Sequence, residues 1–115
     1  MSTYAVRLGV RLFTSEGEKC FGPGIAELLE RIEQDGSLRK AAGEMGMAYS
    51  RAWHVVNDCE KSLGFELIVR SVGGRAGGGS RLTECGSYLL ASYRKLEAGL
   101  KDRAGVMTAE LFPEK

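Results

Sequence analysis

The sequence predicts a mainly α-helical protein with a small β-sheet. Apolar residues recur at positions i, i+3, i+4 and i+7 from Ile25 to Ile32, which is the period of an amphipathic helix. Two further helical stretches are separated by a glycine, and a glycine-rich segment lies between two short strand-like runs. The 115 residues are 43% apolar and carry a net charge of +1. This composition suits one packed domain with one projecting element.

The N-terminal third predicts two strands and a helix. Apolar and polar residues alternate from Tyr4 to Phe13, which indicates a half-buried strand. A turn and a short second strand, Lys19–Phe21, follow it. Pro23 suits the first turn of a helix, and Gly36 can supply the left-handed residue that ends that helix.

Residues 37–63 carry the pattern of a helix-turn-helix. Ser37 is well placed to cap the second helix, and Ala42 is the small residue that a crossing helix requires. Gly46 follows four positions later, where the turn needs a residue that tolerates a left-handed conformation. A third helix is predicted from Tyr49 to Leu63. The alternative is a helical hairpin in another kind of all-α domain.

The glycine-rich segment 71–80 is interpreted as a wing, so that the complete pattern is a winged helix-turn-helix. Gly74 and Gly79 have the spacing of a phosphate-binding loop, but Ser80 stands where that loop requires lysine. In a wing, the glycines let the backbone approach DNA closely, and Arg75 can neutralise a phosphate or enter the minor groove. An idle hairpin tip is the alternative. The two flanking strands are predicted at residues 65–70 and 81–82.

The third helix has a polar outward face, which favours its insertion into the major groove of DNA. Between Ser37 and Arg81 there are seven basic and four acidic residues, so this part of the chain is mildly basic. Trp53 is expected to be partly buried and structural. The residues predicted to contact duplex DNA are Ser37, Arg39, Lys40, Tyr49, Ser50, Arg51, His54, Asn57, Gly74, Arg75 and Arg81. Those predicted to read the major groove are Tyr49, Ser50, Arg51 and His54.

A long last helix, which Thr83 can cap, is predicted over residues 84–110, with a tail at 111–115 and the DNA-binding domain at 1–83. Apolar residues on this helix follow heptad spacing, which favours pairing with a second copy of the chain. A two-fold homodimer would place two recognition helices ~34 Å apart, or a multiple of that distance. The predicted dimer interface consists of Leu89, Tyr93, Leu96, Leu100 and Met107.

Catalysis, metal binding and membrane insertion are not expected. The three cysteines form no CxxC pair, and His54 is the only histidine, so neither a zinc site nor a catalytic set is indicated. No cofactor is expected. Widely spaced thiols and the lack of a signal peptide or of a long apolar run predict a cytoplasmic protein with no membrane partner. The rival to DNA binding is a winged-helix module that binds another protein.

The stretch from Gly36 to Thr83 resembles the DNA-binding domain of the molybdate-responsive regulators, the ModE family. The resemblance rests on the run Gly46–Trp53 and on the wing Gly73–Thr83, and the stretch Leu63–Leu67 also resembles the LysR-type winged helix. It implies a dimeric transcription regulator, in regulation related to molybdate or another metal oxyanion. Sensors of this family carry additional oxyanion-binding domains, whose residues have no counterpart in this sequence. We therefore expect the chain not to sense molybdate or tungstate by itself, and a separate oxyanion-sensing protein is a candidate partner.

Overall fold

The computed structural model describes residues 3–71 and 79–114 and confirms the predicted fold class. Within these two ranges, four helices contain most of the residues, and two small antiparallel sheets each contain two strands. None of the described helices is long and apolar enough to cross a membrane. The elements in chain order are β1 (Leu12–Phe13), β2 (Lys19–Phe21), α1 (Pro23–Asp35), α2 (Leu38–Glu44), α3 (Tyr49–Leu63), β3 (Ile68–Ser71), β4 (Gly79–Leu82) and α4 (Glu84–Leu111).

Helix ends follow the local signals in the sequence. Gly36 ends α1 with φ of 70°, and Gly64 ends α3 with φ of 85°, both in the left-handed region that favours glycine. Ser37 caps α2, because its hydroxyl accepts a hydrogen bond from the Lys40 amide at 3.1 Å. Thr83 caps α4 in the same way through the amide of Gly86 at 2.9 Å.

The predicted strand Tyr4–Phe13 is wrong over most of its length. Only Leu12–Phe13 pairs with Lys19–Phe21, because the second strand is too short to give the first a longer partner. The earlier residues follow α4 instead. The backbone carbonyl of Val10 accepts a hydrogen bond from the Tyr93 hydroxyl at 2.7 Å, and the ring of Tyr4 lies 5.5 Å from that of Phe112. We call residues 3–11 the N-terminal arm.

Strand β3 begins three residues later than predicted, and the side chain of Glu60 binds the backbone amides at its start. One carboxylate oxygen of Glu60 accepts hydrogen bonds from the amides of Leu67 at 2.7 Å and Ile68 at 3.3 Å. This contact ties the end of α3 to the start of the wing sheet. Strands β3 and β4 then pair with Ile68 opposite Leu82 and Ser71 opposite Gly79.

The core lies where α1, α2 and α3 meet, and α4 closes it. Phe21, Leu29 and Val56 are fully buried there, and Leu90 and Tyr93 of α4 pack on the same cluster. The ring of Tyr93 meets that of Phe21 edge to face at 5.1 Å. One face of the first part of α4 is therefore part of the domain core, whereas the rest of the helix extends beyond it.

Candidate nucleic-acid interface

The turn between α2 and α3 fixes the angle of the two helices. Ala42 is fully buried at the crossing, and its carbonyl oxygen accepts a hydrogen bond from the Met47 amide at 2.8 Å. Gly46 has φ of 70°, a conformation that side chains with a Cβ rarely adopt. Both positions singled out from the sequence therefore have the predicted roles.

The start of α2 and the start of α3 form one exposed basic surface. Ser37 is half-buried at the cap, and Arg39 and Lys40 are exposed. The guanidinium carbon of Arg39 lies 4.2 Å from the ring centre of Tyr49, which is a cation–π contact. Two residues predicted to contact DNA from different helices are therefore brought together.

Helix α3 presents its polar residues in different directions. Ala52 and Val56 are fully buried, so the opposite side of the helix faces solvent. Ser50, His54 and Lys61 are exposed, and Asn57 is half-buried. Arg51 is also exposed, but it lies on the flank of the helix, where it lines a cleft together with Val55 and Cys59. The residues expected to read the groove thus fall into a central group and one flanking arginine.

Trp53 lies between the buried and the exposed sides of α3, as predicted. It is half-buried and packs against the core. Its ring centre lies 5.5 Å from the guanidinium carbon of Arg70 in β3 and 5.3 Å from the ring centre of His54. Arg70 was not among the predicted site residues. Arg70 is the last residue of a predicted strand, and nothing in that sequence position predicts that its side chain contacts α3.

Arg70 also has unused hydrogen-bonding capacity. Among the residues that the structure describes, its Nε and Nη2 atoms are buried and have no hydrogen-bond partner. The arginine is opposite Ser80 in the wing sheet, and the amide of Ser80 donates to the carbonyl of Gly36 at 2.8 Å. The base of the wing is therefore attached both to α3 and to the junction between α1 and α2.

Close packing at this junction favours a glycine at position 79. A Cβ built on Gly79 would lie 3.0 Å from the carbonyl oxygen of Gly36. Arg81, two residues further on, is exposed on β4 opposite Val69. Gly74 and Arg75, the two wing residues predicted to contact DNA, lie outside the described residues.

Carboxylates near this surface are largely engaged elsewhere. Glu44 forms an ion pair with Arg31 at 3.2 Å, and the Glu60 carboxylate faces the backbone of β3. Asp58 is exposed. The basic residues at the starts of α2 and α3 are therefore not neutralised by these two carboxylates, which favours an anionic partner such as the DNA backbone.

Four of the five predicted interface residues on α4 remain accessible to another chain. Leu96, Leu100 and Met107 are 42%, 43% and 41% exposed, and Leu89 is half-buried against the core. The prediction that Tyr93 belongs to the dimer interface is contradicted by the structure. Tyr93 is only 1% exposed, because its ring packs on Phe21 and its hydroxyl bonds the N-terminal arm within the same protomer.

Helix α4 is anchored to α1 by an arginine between two carboxylates. Arg94 Nε donates to Glu30 at 2.8 Å, a second nitrogen also pairs with Glu30, and Nη1 donates to Glu97 at 2.7 Å. The hydrogen bonds to Glu30 are the main cause that raises the pKa of Arg94 above its ordinary value. These ion pairs therefore join the first half of α4 to α1.

These features define a winged helix-turn-helix DNA-binding protein of the transcription-regulator class. The family described as "bacterial regulatory helix-turn-helix protein, lysR family" matches residues 26–87. The chain belongs to this family. The match runs from the first turn of α1 to the first turn of α4, so it covers the helix-turn-helix and the wing.

Curated relatives confirm the resemblance to ModE-type proteins. The chain is 41% identical over 70 residues to the molybdenum transport protein ModE of Azotobacter vinelandii, which covers 61% of this chain and 26% of the relative. It is 37% identical over 89 residues to the molybdenum-pterin-binding protein MopA of Rhodobacter capsulatus, covering 76% of this chain and 34% of the relative. It is 34% identical over 71 residues to the DNA-binding transcriptional dual regulator ModE of Escherichia coli, covering 62% and 27%. The chain therefore spans about a quarter to a third of the length of these relatives.

Proposed function

We propose that this chain binds a specific operator in duplex DNA as a homodimer and regulates transcription, in a process related to molybdate or another metal oxyanion. The observation that carries the proposal is the continuous surface of the Arg39–Tyr49 pair and the solvent-facing side of α3. The names of the relatives from Azotobacter vinelandii and Rhodobacter capsulatus support the link to molybdenum. We propose a binding role rather than catalysis, because the candidate site is a helix-turn-helix surface. The three free cysteines support a location in the cytoplasm.

Within this proposal, base readout and phosphate contact belong to different residues. Tyr49, Ser50 and His54 lie in the first turns of α3, where a recognition helix meets base edges. Arg51 and Asn57 are at the sides of that group. Backbone contact is assigned to Ser37, Arg39 and Lys40, and the wing contributes Gly74, Arg75 and Arg81.

Salt dependence tests whether these cations neutralise phosphates. Selection from a random DNA pool should first yield a two-fold symmetric site. With that site, Arg39→Ala should reduce the slope of log affinity against log salt by about one unit, as should Arg75→Ala, since each phosphate contact releases about one counterion. The control is Lys95→Ala, because Lys95 is exposed on α4, away from the helix-turn-helix. An unchanged slope removes the substituted arginine from the phosphate contacts, and no DNA binding at low salt favours the protein-interaction module.

The homodimer is supported by exposed apolar residues on a helix of 28 residues. Leu96→Lys should give monomers in sedimentation velocity while the helical content stays the same. The matched control is Ala98→Lys, since position 98 is exposed and lies on the opposite side of the helix from position 96. A wild-type chain that sediments as a monomer, or equal effects of the two variants, would contradict the proposed seam.

The signal is proposed to come from a separate oxyanion-sensing protein. Calorimetry of this chain with sodium molybdate and sodium tungstate should then show no saturable heat. A defined stoichiometry with either salt would overturn this part of the proposal and leave the DNA-binding part intact.

A further inference from the structure

A cleft on the flank of α3 has not been used by the function described above. It has a volume of about 310 Å³ and lies between the start of α1, strand β2, the turn of the helix-turn-helix and α3. This volume falls at the lower end of small-molecule sites, which hold about 300–1,000 Å³. Its walls are apolar, and the side chains that form them are Phe21, Ile25, Leu28, Met45, Met47 and Val55.

Three cations line the same cleft and no carboxylate does. Arg11, Lys19 and Arg51 come from three different elements or segments of the chain and are exposed at its edge. Within residues 3–71 and 79–114, none of the ion pairs involves any of the three. Their charges are therefore available to a ligand.

Cys59, which also lines the cleft, does not offset this positive charge. Burial raises the pKa of its thiol to about 11, so the thiol is neutral at physiological pH. The apolar wall and the thiol would be covered by the uncharged part of a ligand.

The cleft borders the surface assigned to DNA at Arg51 and extends from there to the start of α1. It opens at the first residues of α1, whereas Ser37 and the start of α2 follow the other end of that helix. The start of α2 is about 20 Å from this end of α1, the length of a helix of 13 residues, but the cleft reaches the first turn of α3 at Arg51. Arg51 is shared with the predicted DNA contacts, but Arg11 and Lys19 belong to the cleft alone.

We propose that this cleft binds a small organic anion with an apolar body, of the class of aromatic carboxylates. The body lies against the methionines and the aliphatic side chains, and the acidic group pairs with Arg11, Lys19 and Arg51. Burial of the apolar body and charge-assisted hydrogen bonds act together, which neither an inorganic anion nor a neutral aromatic molecule can reproduce.

The test uses 2-naphthoate as the probe and the whole chain labelled with ¹⁵N. Saturable shifts are expected for the amides of Gly24, Ile25 and Met47, which lie along the cleft. The neutral isostere 2-naphthamide should bind at least about tenfold more weakly, because it lacks the charge that the three cations require. Sodium sulfate at equal ionic strength should not displace the probe.

Two substitutions separate this cleft from other apolar surfaces. Gly24→Leu should abolish the shifts, since Gly24 lines the cleft and a Cβ there meets open space, so the added side chain can enter without backbone strain. The matched control is Gly43→Leu, an exposed helical glycine whose Cβ also meets nothing within 4 Å. Lys19→Gln should weaken binding several-fold while leaving the fold unchanged.

Several results would overturn the proposal. They are an absence of saturable binding, equal affinity for the naphthamide, shifts confined to α4, or a Gly24→Leu variant that binds as the wild type does. Loss of DNA affinity in Lys19→Gln without any naphthoate binding would also overturn it, because the cation would then serve DNA phosphate.

Discussion

Gly86→Ala should destabilise the protein, although alanine is normally the better helix former. Gly86 is buried in the first turn of α4, and a Cβ built on it would lie 2.3 Å from the carbonyl oxygen of Leu67. That oxygen also accepts a hydrogen bond from the amide of Thr83 at 2.9 Å. Because the obstacle is backbone rather than a flexible side chain, the start of α4 must move away from the wing sheet.

The expected magnitude combines three effects. Insertion of a methyl group into a packed site usually costs about 1–3 kcal/mol. Weakening the bond between Thr83 and Leu67 adds about 0.5–1.5 kcal/mol. Replacing glycine by alanine in a helix returns about 1 kcal/mol. We therefore expect the free energy of unfolding to fall by about 2 kcal/mol.

Urea unfolding followed by circular dichroism measures this difference, at equal protein concentration because the proposed dimer would make stability depend on concentration. The matched control is Gly99→Ala on the same helix, where a Cβ would meet nothing within 4 Å. This control should gain about 0.5–1 kcal/mol. If Gly86→Ala unfolds at the same urea concentration as Gly99→Ala, the close approach of α4 to Leu67 is not a constraint on the fold.

Four further experiments test other contacts. Ser37→Ala removes the acceptor of the α2 cap and should cost about 1 kcal/mol, whereas Ser37→Asp should retain most of the stability; equal urea midpoints for the two variants would contradict the cap. Tyr93→Phe keeps the buried ring but removes the hydrogen bond to Val10, so unfolding should become easier by about 1 kcal/mol, and an unchanged midpoint would show that this bond contributes nothing. At neutral pH, iodoacetamide should label the exposed Cys85 before Cys59, and mass spectrometry of the native protein measures the order. The opposite order would contradict the raised pKa of the Cys59 thiol. The pKa of Cys59 is higher in the folded chain than in the unfolded chain, so the stability from its neutral thiol is present below pH 9.0 and is lost as the pH rises to about 11. Cys59→Ala should therefore make the fall in the urea midpoint over that range less steep. An equally steep fall in both proteins would contradict this.

Helix boundaries could be predicted from the sequence because their causes are local. Ser37, Gly46 and Thr83 act through hydrogen bonds and backbone conformations within four residues of their own positions. The helix-turn-helix follows from such signals together with apolar spacing, so both its position and its outward polar face could be predicted.

Features that depend on distant partners could not be predicted in this way. Alternation in the N-terminal arm has the period of a strand, but Val10 bonds a side chain that is 83 residues away. Heptad spacing identifies one side of α4, but it does not tell whether a residue there is buried inside the protomer or against a second copy of the chain. Tyr93 is buried inside the protomer. The cleft is also invisible to local patterns, because Arg11, Lys19 and Arg51 belong to separate segments.

The attachment of α4 has a mechanical consequence. Tyr93 and Arg94 hold the helix near its first third, and the 18 residues from Arg94 to Leu111 span about 26 Å. In the proposed dimer, a tilt of about 10° around this pivot moves the distal end by about 4 Å. The same tilt, imposed at the distal end by a partner protein, would turn the reading helix by a comparable angle, since a packed core transmits such a displacement as a rigid body. The distal part of α4 is therefore an extension of the DNA-binding domain, covered on one side by the N-terminal arm and accessible to a partner elsewhere.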